Sequence, residues 1–376
     1  MLKFLRQSRT FLNAKEPCCL VLGNESCDLD SAVSAVTLAY FYHKSKTAPK
    51  NTKNVCNFLP ILNIPRRDYP LKTEVTYLFK QYSITDDLLT FRDELSDEFL
   101  QSNNLVLVDH HVSPLWKNTV AIYDHRPKDD AANVAENCDI NIQIVGSCAT
   151  LMAEMFLQQN LLGEEEQIAL EMLRSTIVLD TVNFSKEAAR ATPKDVEICK
   201  KLEDILQSKE VPLNTRLELF NNLVQARSDV SALTAGQLLR KDLKILTSTK
   251  EGRSLKIALP GFPLPVQKCI AKPNAHEELL EFAKHNECQV ILLMGMFVNP
   301  EDNSVHRDLG VINIGNEKLF TAIKEKLDES EDPKLSLHLY EDCKFMNGIF
   351  YKQGNIKATR KHILPIVKNV LDNFEN

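Results

Sequence analysis

The sequence predicts a two-domain α/β fold whose N-terminal domain contains a parallel β-sheet. Short apolar runs alternate with segments of helical periodicity through the first half of the chain, as in parallel strands joined by crossover helices. One run, residues 105–108, is continuously apolar, which is typical of a strand buried on both faces, and it leads directly into Asp109-His110-His111. The 376 residues are enough for two domains of ordinary size.

The first unit of the pattern is a strand, an acidic turn and a helix. Residues 18–22 form a short apolar run, and Asp28-Leu29-Asp30-Ser31 follows after a polar turn. From Asp30 onward apolar residues recur at helical spacing, and an Asp or Ser at this point is typical of an N-cap. Further strands are predicted at 55–62, 88–91, 105–108, 120–123 and 140–145, and helices at 71–82, 95–100, 164–179, 193–206 and 214–225, with another that begins within 146–150.

The domain boundary is predicted near residues 227–234, where Ser, Asp and Thr interrupt the helical pattern. The domains would then be 1–226 and 227–376. C-terminal strands are predicted at 255–259, 290–298 and 309–314, and helices at 276–284, 317–327 and 360–374.

Composition excludes some classes of function. A net charge of −6 argues against a protein that coats nucleic acid, although a local site can still attract a small anion. The longest apolar runs are shorter than the roughly 20 residues that span a bilayer. Ten cysteines without a CxxC pair are typical of reduced thiols inside a cell, so we expect a cytoplasmic protein.

The first fifteen residues contain four basic and no acidic side chains. This resembles a weak mitochondrial presequence, which would make the protein mitochondrial. A short amphipathic helix that belongs to the fold is the preferred interpretation.

Several apolar runs of the N-terminal domain end in acids or histidines, and the carboxyl ends of parallel strands form one edge of a sheet. Crowded carboxylates raise one another's pKa values, which divalent cations relieve. Carboxylates plus imidazole, without a set of thiolates, suit Mn²⁺ or Mg²⁺. Two ions about 3.5–4 Å apart would activate a water for attack on phosphorus. The residues in question are Asp28, Asp30, Asp93, Asp109, His110, His111 and Asp180.

In this order, these acids and histidines resemble the four motifs of the DHH phosphoesterase superfamily. Thr359-Arg360-Lys361 is similar to the Ser-Arg-Lys element of the DHHA2 domain, which occurs in family II inorganic pyrophosphatases. The resemblance is greatest to the prune group, viewed as short-chain exopolyphosphatases, and it covers nearly the whole chain. The motifs that carry it are LGNESCDLDS, LVDHH, DHRP, VGSCAT, ATPKD and LRKD.

The resemblance implies a role for each matching residue. The metal ligands would be Asp28, Asp30, Asp93, His110 and Asp180, with Asp93 bridging two ions. Asp109 would orient an imidazole, and His111 would lie close to the substrate phosphate. Arg360 and Lys361, from the second domain, would bind the terminal phosphate across a cleft between the domains. Further phosphate-binding candidates are Lys244, Arg126 and Arg227.

Asn24 stands where pyrophosphatases carry a histidine ligand, and an amide oxygen would bind metal more weakly than an imidazole. Prune-like sequences share this asparagine, so it supports the assignment and puts fast pyrophosphate hydrolysis in doubt. His125 is compatible with a structural role beside Pro127 or with the site.

The expected reaction is the release of phosphate from short-chain polyphosphates. A cyclic-nucleotide phosphodiesterase, acting on cyclic AMP, is a second interpretation, because the prune group is associated with that activity. A third is a regulatory binding protein with a weakened metal site and nucleoside diphosphate kinase as its partner.

Overall fold

The computed structural model describes residues 1–14, 16–50, 52, 57–250, 253–299, 302 and 304–374. The chain divides into two compact units, Met1–Ser228 and Asp229–Asn376. Each unit combines helices with a six-stranded sheet, which confirms the predicted α/β class.

The sheet of the first unit has the strand order β3-β2-β1-β4-β5-β6, and every neighbouring pair is parallel, as predicted. Residues 55 and 56 of the second predicted strand lie outside the described residues. The strands are β1 (Cys19–Leu22), β2 (Phe58–Leu62), β3 (Thr90–Phe91), β4 (Asn104–Val108), β5 (Thr119–Asp124) and β6 (Asp139–Ile142).

The central strands are apolar throughout because helices cover both faces of this sheet. Along β4, Val106 and Val108 pack in one hydrophobic core, whereas Leu105 and Leu107 pack in a second core on the other face. The helices of this unit are α1 (Leu2–Ala14), α2 (Leu29–Ser45), α3 (Thr73–Gln81), α4 (Asp97–Ser102), α5 (Cys148–Gln158), α6 (Gln167–Asp180), α7 (Pro193–Ser208) and α8 (Arg216–Ser228).

The basic N-terminal segment forms helix α1 and packs on the first unit. Phe4 and Leu5 are buried, and the Phe4 ring lies 5.6 Å from the ring of Tyr40. Arg9 forms an ion pair with Glu94 at 2.7 Å. The segment is therefore part of the fold of this unit, as the preferred interpretation expected.

The second unit has a mixed sheet of order β11-β12-β10-β9-β8-β7, in which only the pair β8–β9 is parallel. Its strands are β7 (Asp242–Lys250), β8 (Arg253–Phe262), β9 (Val290–Val298), β10 (Val305–Asn313), β11 (Leu337–Leu339) and β12 (Gly348–Gln353). Its helices are α9 (Ala235–Lys241), α10 (Val266–Ile270), α11 (Ala275–Asn286), α12 (Glu317–Asp328) and α13 (Arg360–Asn373). The sequence did not predict β7, β11, β12, α9 or α10. Among the described residues, no helix combines the length and the apolar character needed to cross a membrane.

The strand order of the first unit reverses between β1 and β4. Successive strands are added on one side of β1 as far as β3, and on its other side from β4 onward. The loops that follow β1 and β4 therefore run in opposite directions and leave a crevice at the carboxyl edge, where ligands bind in open parallel sheets.

Candidate metal site

A cavity of about 310 Å³ lies at this carboxyl edge of the first sheet. Four carboxylates line it, together with one imidazole and two arginines. Its lining residues are Asp28, Asp30, Asp109, His125, Arg126, Val145, Gly146, Asp180 and Arg190.

Three of these residues form the centre of the site. Asp30, Asp109 and His125 each offer one metal-binding atom, and these atoms all lie within 4.8 Å of one another. The Nε2 atom of His125 is 3.2 Å from Oδ1 of Asp109 and 3.7 Å from Oδ2 of Asp30. They come from three neighbouring places in the fold, because Asp30 follows β1, Asp109 follows β4 and His125 follows β5.

The backbone at the end of β4 turns Asp109 into the cavity. Asp109 has φ 59°, in the left-handed region that Asp adopts more readily than most residues. Its side chain is 1% exposed, and Oδ1 accepts no hydrogen bond from the described residues. This oxygen lies 3.2 Å from Nε2 of His125 and 3.7 Å from Arg126, and a nearby positive charge, such as that of a bound cation, stabilises a buried carboxylate.

Asp30 belongs to the first turn of α2, and its carboxylate faces the N-terminus of α5. Its carboxylate accepts hydrogen bonds from the backbone N–H groups of Cys148 at 2.6 Å and Ala149 at 2.8 Å. Free N–H groups and the helix dipole stabilise an anion at this position. These bonds also fix the direction of the carboxylate in the cavity.

His125 is oriented by a backbone carbonyl. Its Nδ1 lies 3.0 Å from the carbonyl oxygen of Val145, which can only accept, so Nδ1 carries a proton. The atom left to face the carboxylates is Nε2. A second hydrogen bond of this kind is the usual way in which a protein orients a metal-binding imidazole.

Asp28 and Asp180 complete the set of four carboxylates. Asp28 is the N-cap of α2 and accepts from the N–H of Ser31, whereas the sequence had suggested a cap at Asp30 or Ser31, which lie inside the helix. Asp180 ends α6 and accepts a hydrogen bond from Ser147 Oγ at 2.9 Å. The chain then continues through three successive left-handed residues, with φ of 52° at Val182, 52° at Asn183 and 59° at Phe184.

Burial and mutual repulsion change the pKa values in the cavity. Burial, with the nearby charge of Asp30, raises the pKa of Asp109 to about 7. The pKa values of Asp30 and Asp180 are raised in the same way. Burial alone would lower the pKa of His125, but the carboxylates of Asp109 and Asp30 outweigh it and raise this pKa to about 10.

This donor set fits divalent cations. Carboxylate oxygens with one imidazole nitrogen are the donors that Mn²⁺ accepts, and Mg²⁺ prefers the oxygens. Bound cations would neutralise the four crowded acids and stabilise the buried Oδ1 of Asp109, which accepts no hydrogen bond from the described residues. Among the described residues that line the cavity the donors are oxygens and nitrogens rather than thiols, which suits the Mn²⁺ or Mg²⁺ suggested by the sequence.

Asn24 does not offer its oxygen to the cavity, which corrects its prediction as a weak ligand. Its Oδ1 accepts hydrogen bonds from Ser26 and from the N–H of Cys27. Its Nδ2 donates to Oδ2 of Asp109 at 2.7 Å. The opposite amide orientation would bring two oxygens together, so Asn24 positions Asp109.

The structure also corrects the placement of Asp93. Its side chain is exposed and accepts from the N–H of Arg66. Asp93 follows β3, and β2 and β1 separate β3 from β4. Three strand spacings amount to about 14 Å, too far for a carboxylate that bridges ions beside Asp109.

The two histidines after Asp109 are likewise not in the cavity. The Nδ1 atom of His110 is bonded to the carbonyl of Val108, and burial lowers the pKa of this imidazole. His111 donates from Nδ1 to Asp124 and accepts at Nε2 from the N–H of Asp129. Both ring nitrogens of His111 are thus occupied, which is incompatible with the predicted phosphate contact.

Two arginines line the cavity beside the acids. Arg126, a predicted phosphate contact, is largely exposed and lies 3.7 Å from Oδ1 of Asp109. Arg190 was not predicted. Arg227 lies elsewhere in the first unit, where its Nε is 3.8 Å from Glu74, and Lys244 is exposed on the edge strand β7.

Arg360 and Lys361 open helix α13, as predicted. Arg360 is held by two hydrogen bonds to Asp242, one to its carbonyl at 2.8 Å and one to its carboxylate at 2.7 Å. Arg360 also lines a cavity of about 290 Å³ within the second unit. Lys361 is exposed on the first turn.

Two residues of the site were not assigned to it from the sequence. The role of His125 was left open, and Arg190 was missed. A signal for His125 was present, because Asp124-His125-Arg126 directly follows the apolar run 120–123. No comparable signal marks Arg190, which comes from a loop between α6 and α7.

Comparison with known proteins identifies the family of this chain. The family model for the DHHA2 domain matches residues 221–370. The protein named exopolyphosphatase PRUNE1 of Homo sapiens is 33% identical over 379 residues, which cover 99% of this chain and 79% of that protein. A manganese-dependent inorganic pyrophosphatase of Methanocaldococcus jannaschii is 24% identical over 244 residues, covering 60% of this chain and 66% of the pyrophosphatase.

A solved structure also matches. An exopolyphosphatase-related protein from Bacteroides fragilis has a TM-score of 0.42 and 10% identity, with 99% of this chain and 96% of that chain covered. The human relative, which is matched over 99% of this chain and 79% of its own length, confirms the resemblance predicted from the ordered motifs. The chain belongs to the prune-type family of the DHH phosphoesterase superfamily.

Proposed function

We propose that the protein is a metal-dependent phosphoanhydride hydrolase that releases phosphate from short-chain polyphosphates. The observation that carries the proposal is the cluster of Asp30, Asp109 and His125 in a cavity that also contains two arginines. Such a cavity can hold cations and a phosphate anion side by side. The names of the human exopolyphosphatase and the manganese-dependent pyrophosphatase support the same chemistry.

Five residues would hold the metal, namely Asp28, Asp30, Asp109, Asp180 and His125. When bound, two Mn²⁺ or Mg²⁺ ions would neutralise the phosphate and lower the pKa of a water for in-line attack. Asp109, whose Oδ2 is fixed by Asn24 and whose Oδ1 lies 3.2 Å from Nε2 of His125, would be the acid that bridges them. Asp109 thus takes the role that the sequence suggested for Asp93.

The arginines would bind the substrate phosphates. Arg126 and Arg190 both line the acidic cavity, and a guanidinium donates two parallel hydrogen bonds to phosphate oxygens. Binding of the terminal phosphate by Arg360 and Lys361 remains a prediction. It is supported by their position at the start of α13, where the helix dipole favours an anion. The role of Lys244 also stays a prediction.

Phosphate release from tripolyphosphate with Mn²⁺ or Mg²⁺ tests the proposal. Asp109→Asn should lower the rate by at least about 100-fold, because one bridging charge is lost. Asp93→Asn is the matched control, because it makes the same change to an exposed acid outside the cavity, and it should keep near wild-type activity. Equal loss in both variants, or no phosphate release by the wild type, would contradict the proposal.

A pair of histidine variants gives an independent test of the same proposal. His125→Gln should abolish turnover, whereas His110→Gln should retain most of it, because only His125 lines the cavity. Hydrolysis of cyclic AMP should be measured under the same conditions. Turnover of cyclic AMP but not of tripolyphosphate would support the phosphodiesterase interpretation. A nucleoside diphosphate kinase partner and a cytoplasmic location stay predictions.

A further inference from the structure

The motifs VGSCAT at residues 145–150 and ATPKD at 191–195 supply none of the five candidate metal ligands. The first of these, the 145–150 segment, touches three of the five candidate ligands. The carbonyl of Val145 accepts from His125, and the hydroxyl of Ser147 donates to Asp180. The N–H groups of residues 148 and 149 donate to Asp30. One short stretch of chain therefore sets the direction of three ligands.

Asp195, from the second motif, holds this segment near both of its ends. Its Oδ2 accepts from the N–H of Gly146 at 2.8 Å, and its Oδ1 accepts from Thr150 Oγ1 at 2.6 Å. The Asp195 side chain is 0% exposed, so water cannot replace either bond. Oδ2 also accepts from the N–H and the hydroxyl of Thr192, which caps α7.

The segment has no free space in which to shift beside this anchor. A Cβ atom at Gly146 would lie 2.8 Å from the carbonyl oxygen of Arg190 and 2.8 Å from Cγ2 of Thr181. It would also lie 3.0 Å from Oδ2 of Asp195. These distances are shorter than or at the limit of ordinary contacts, so only glycine fits there.

We propose that Asp195 is a positioning residue that sets the affinity of the metal site through the 145–150 segment. Asp195 does not line the cavity and is not a ligand. Its removal leaves the N–H of Gly146 without its acceptor and frees the segment at both ends. The three ligands then occupy a wider range of directions, and a cation gains less from each. The inference rests on the proposed metal binding and does not depend on hydrolysis.

Direct titration of the full chain with Mn²⁺, by calorimetry, tests the inference without turnover. Asp195→Ala should weaken Mn²⁺ binding on the order of 10-fold or more, the effect typical of residues that orient ligands. Asp195→Asn should restore most of the affinity, because its amide oxygen can still accept from Gly146 and its NH₂ can donate to Thr150.

Thr192→Ala is the matched control. It removes the side-chain cap of α7 and the hydroxyl bond to the Asp195 carboxylate, so it should lower the midpoint of thermal unfolding while leaving the affinity for Mn²⁺ unchanged. If Asp195→Ala also leaves the affinity unchanged, Asp195 only caps α7 and the inference is wrong.

A variant that changes one end of the segment covers the case in which Asp195→Ala does not fold. Thr150→Val keeps the shape of the side chain and removes its bond to Asp195, so Mn²⁺ should bind more weakly than to the wild type. Unchanged binding there would overturn the inference. A wild type that does not bind Mn²⁺ would instead overturn the proposed function.

Discussion

At the scale of single residues, one backbone angle determines which member of Asp109-His110-His111 reaches the cavity. Side chains alternate between the two faces of β4, and the resemblance assigned a role in the site to all three residues that follow it. The strand ends at Val108, and Asp109 adopts a left-handed conformation, so the alternation does not extend past it. Asp109 therefore faces Asp30 and His125, and the two histidines that follow form hydrogen bonds elsewhere.

The pKa values of the site predict how metal binding depends on pH. The pKa of Asp109 is raised to about 7 and that of His125 to about 10, so both groups carry protons at slightly acidic pH. A cation must displace these protons, and its affinity should rise as pH rises. We expect Mn²⁺ to bind more weakly at pH 6 than at pH 8, with protons released on binding.

Calorimetry in buffers of different ionisation enthalpy measures both quantities. An affinity that is constant between pH 6 and pH 8, with no proton release, would show that these two groups are not ligands.

At the scale of elements, the turn after α6 stores strain next to a candidate ligand. Three successive left-handed residues follow Thr181, and each costs an ordinary L-residue about 1–2 kcal/mol. Val182 bears most of this cost because its side chain is β-branched. The hydrogen bond from the N–H of Asn183 to the carbonyl of Val178, at 2.8 Å, helps to hold the turn.

Val182→Asn should therefore stabilise the protein. Asparagine tolerates a positive φ, and we expect the free energy of unfolding in urea to rise by about 1 kcal/mol. Val196→Asn is the matched control, an exposed valine within helix α7, where the two residues have similar helix propensity and no gain is expected. Equal effects at both positions would refute strain at Val182.

At the scale of the whole molecule, periodicity predicted the class of fold and most of the strands of the first unit. Periodicity could not predict the order of those strands in the sheet. The alternation of strands and helices does not indicate on which side of β1 each new strand is added. Asp93 was assigned to the site for this reason, since β3 ends in an acid but lies at the edge of the sheet.

The second unit was harder to predict because its sheet is mostly antiparallel. Edge strand β7, with the sequence DLKILTSTK, has six polar residues among nine, and it carries little of the apolar pattern that marks a buried strand. Arg190 was missed for a related reason, because a loop residue becomes part of a site only through the packing of the elements around it.

The 145–150 segment contacts Asp30 through main-chain atoms. A substitution can therefore preserve the conformation of α5 and still remove a hydrogen bond to this candidate ligand. Cys148 is the first residue of α5, a position at which proline preserves a helix but has no N–H to donate. Ser147, before it, is extended with φ −151° and ψ 141°, as a residue that precedes proline should be. Cys148→Pro should therefore keep its helical circular dichroism yet weaken Mn²⁺ binding, whereas Cys148→Ala, which keeps the N–H, should bind Mn²⁺ normally. At Cys148 the site therefore tolerates a different side chain but is sensitive to the loss of one backbone hydrogen.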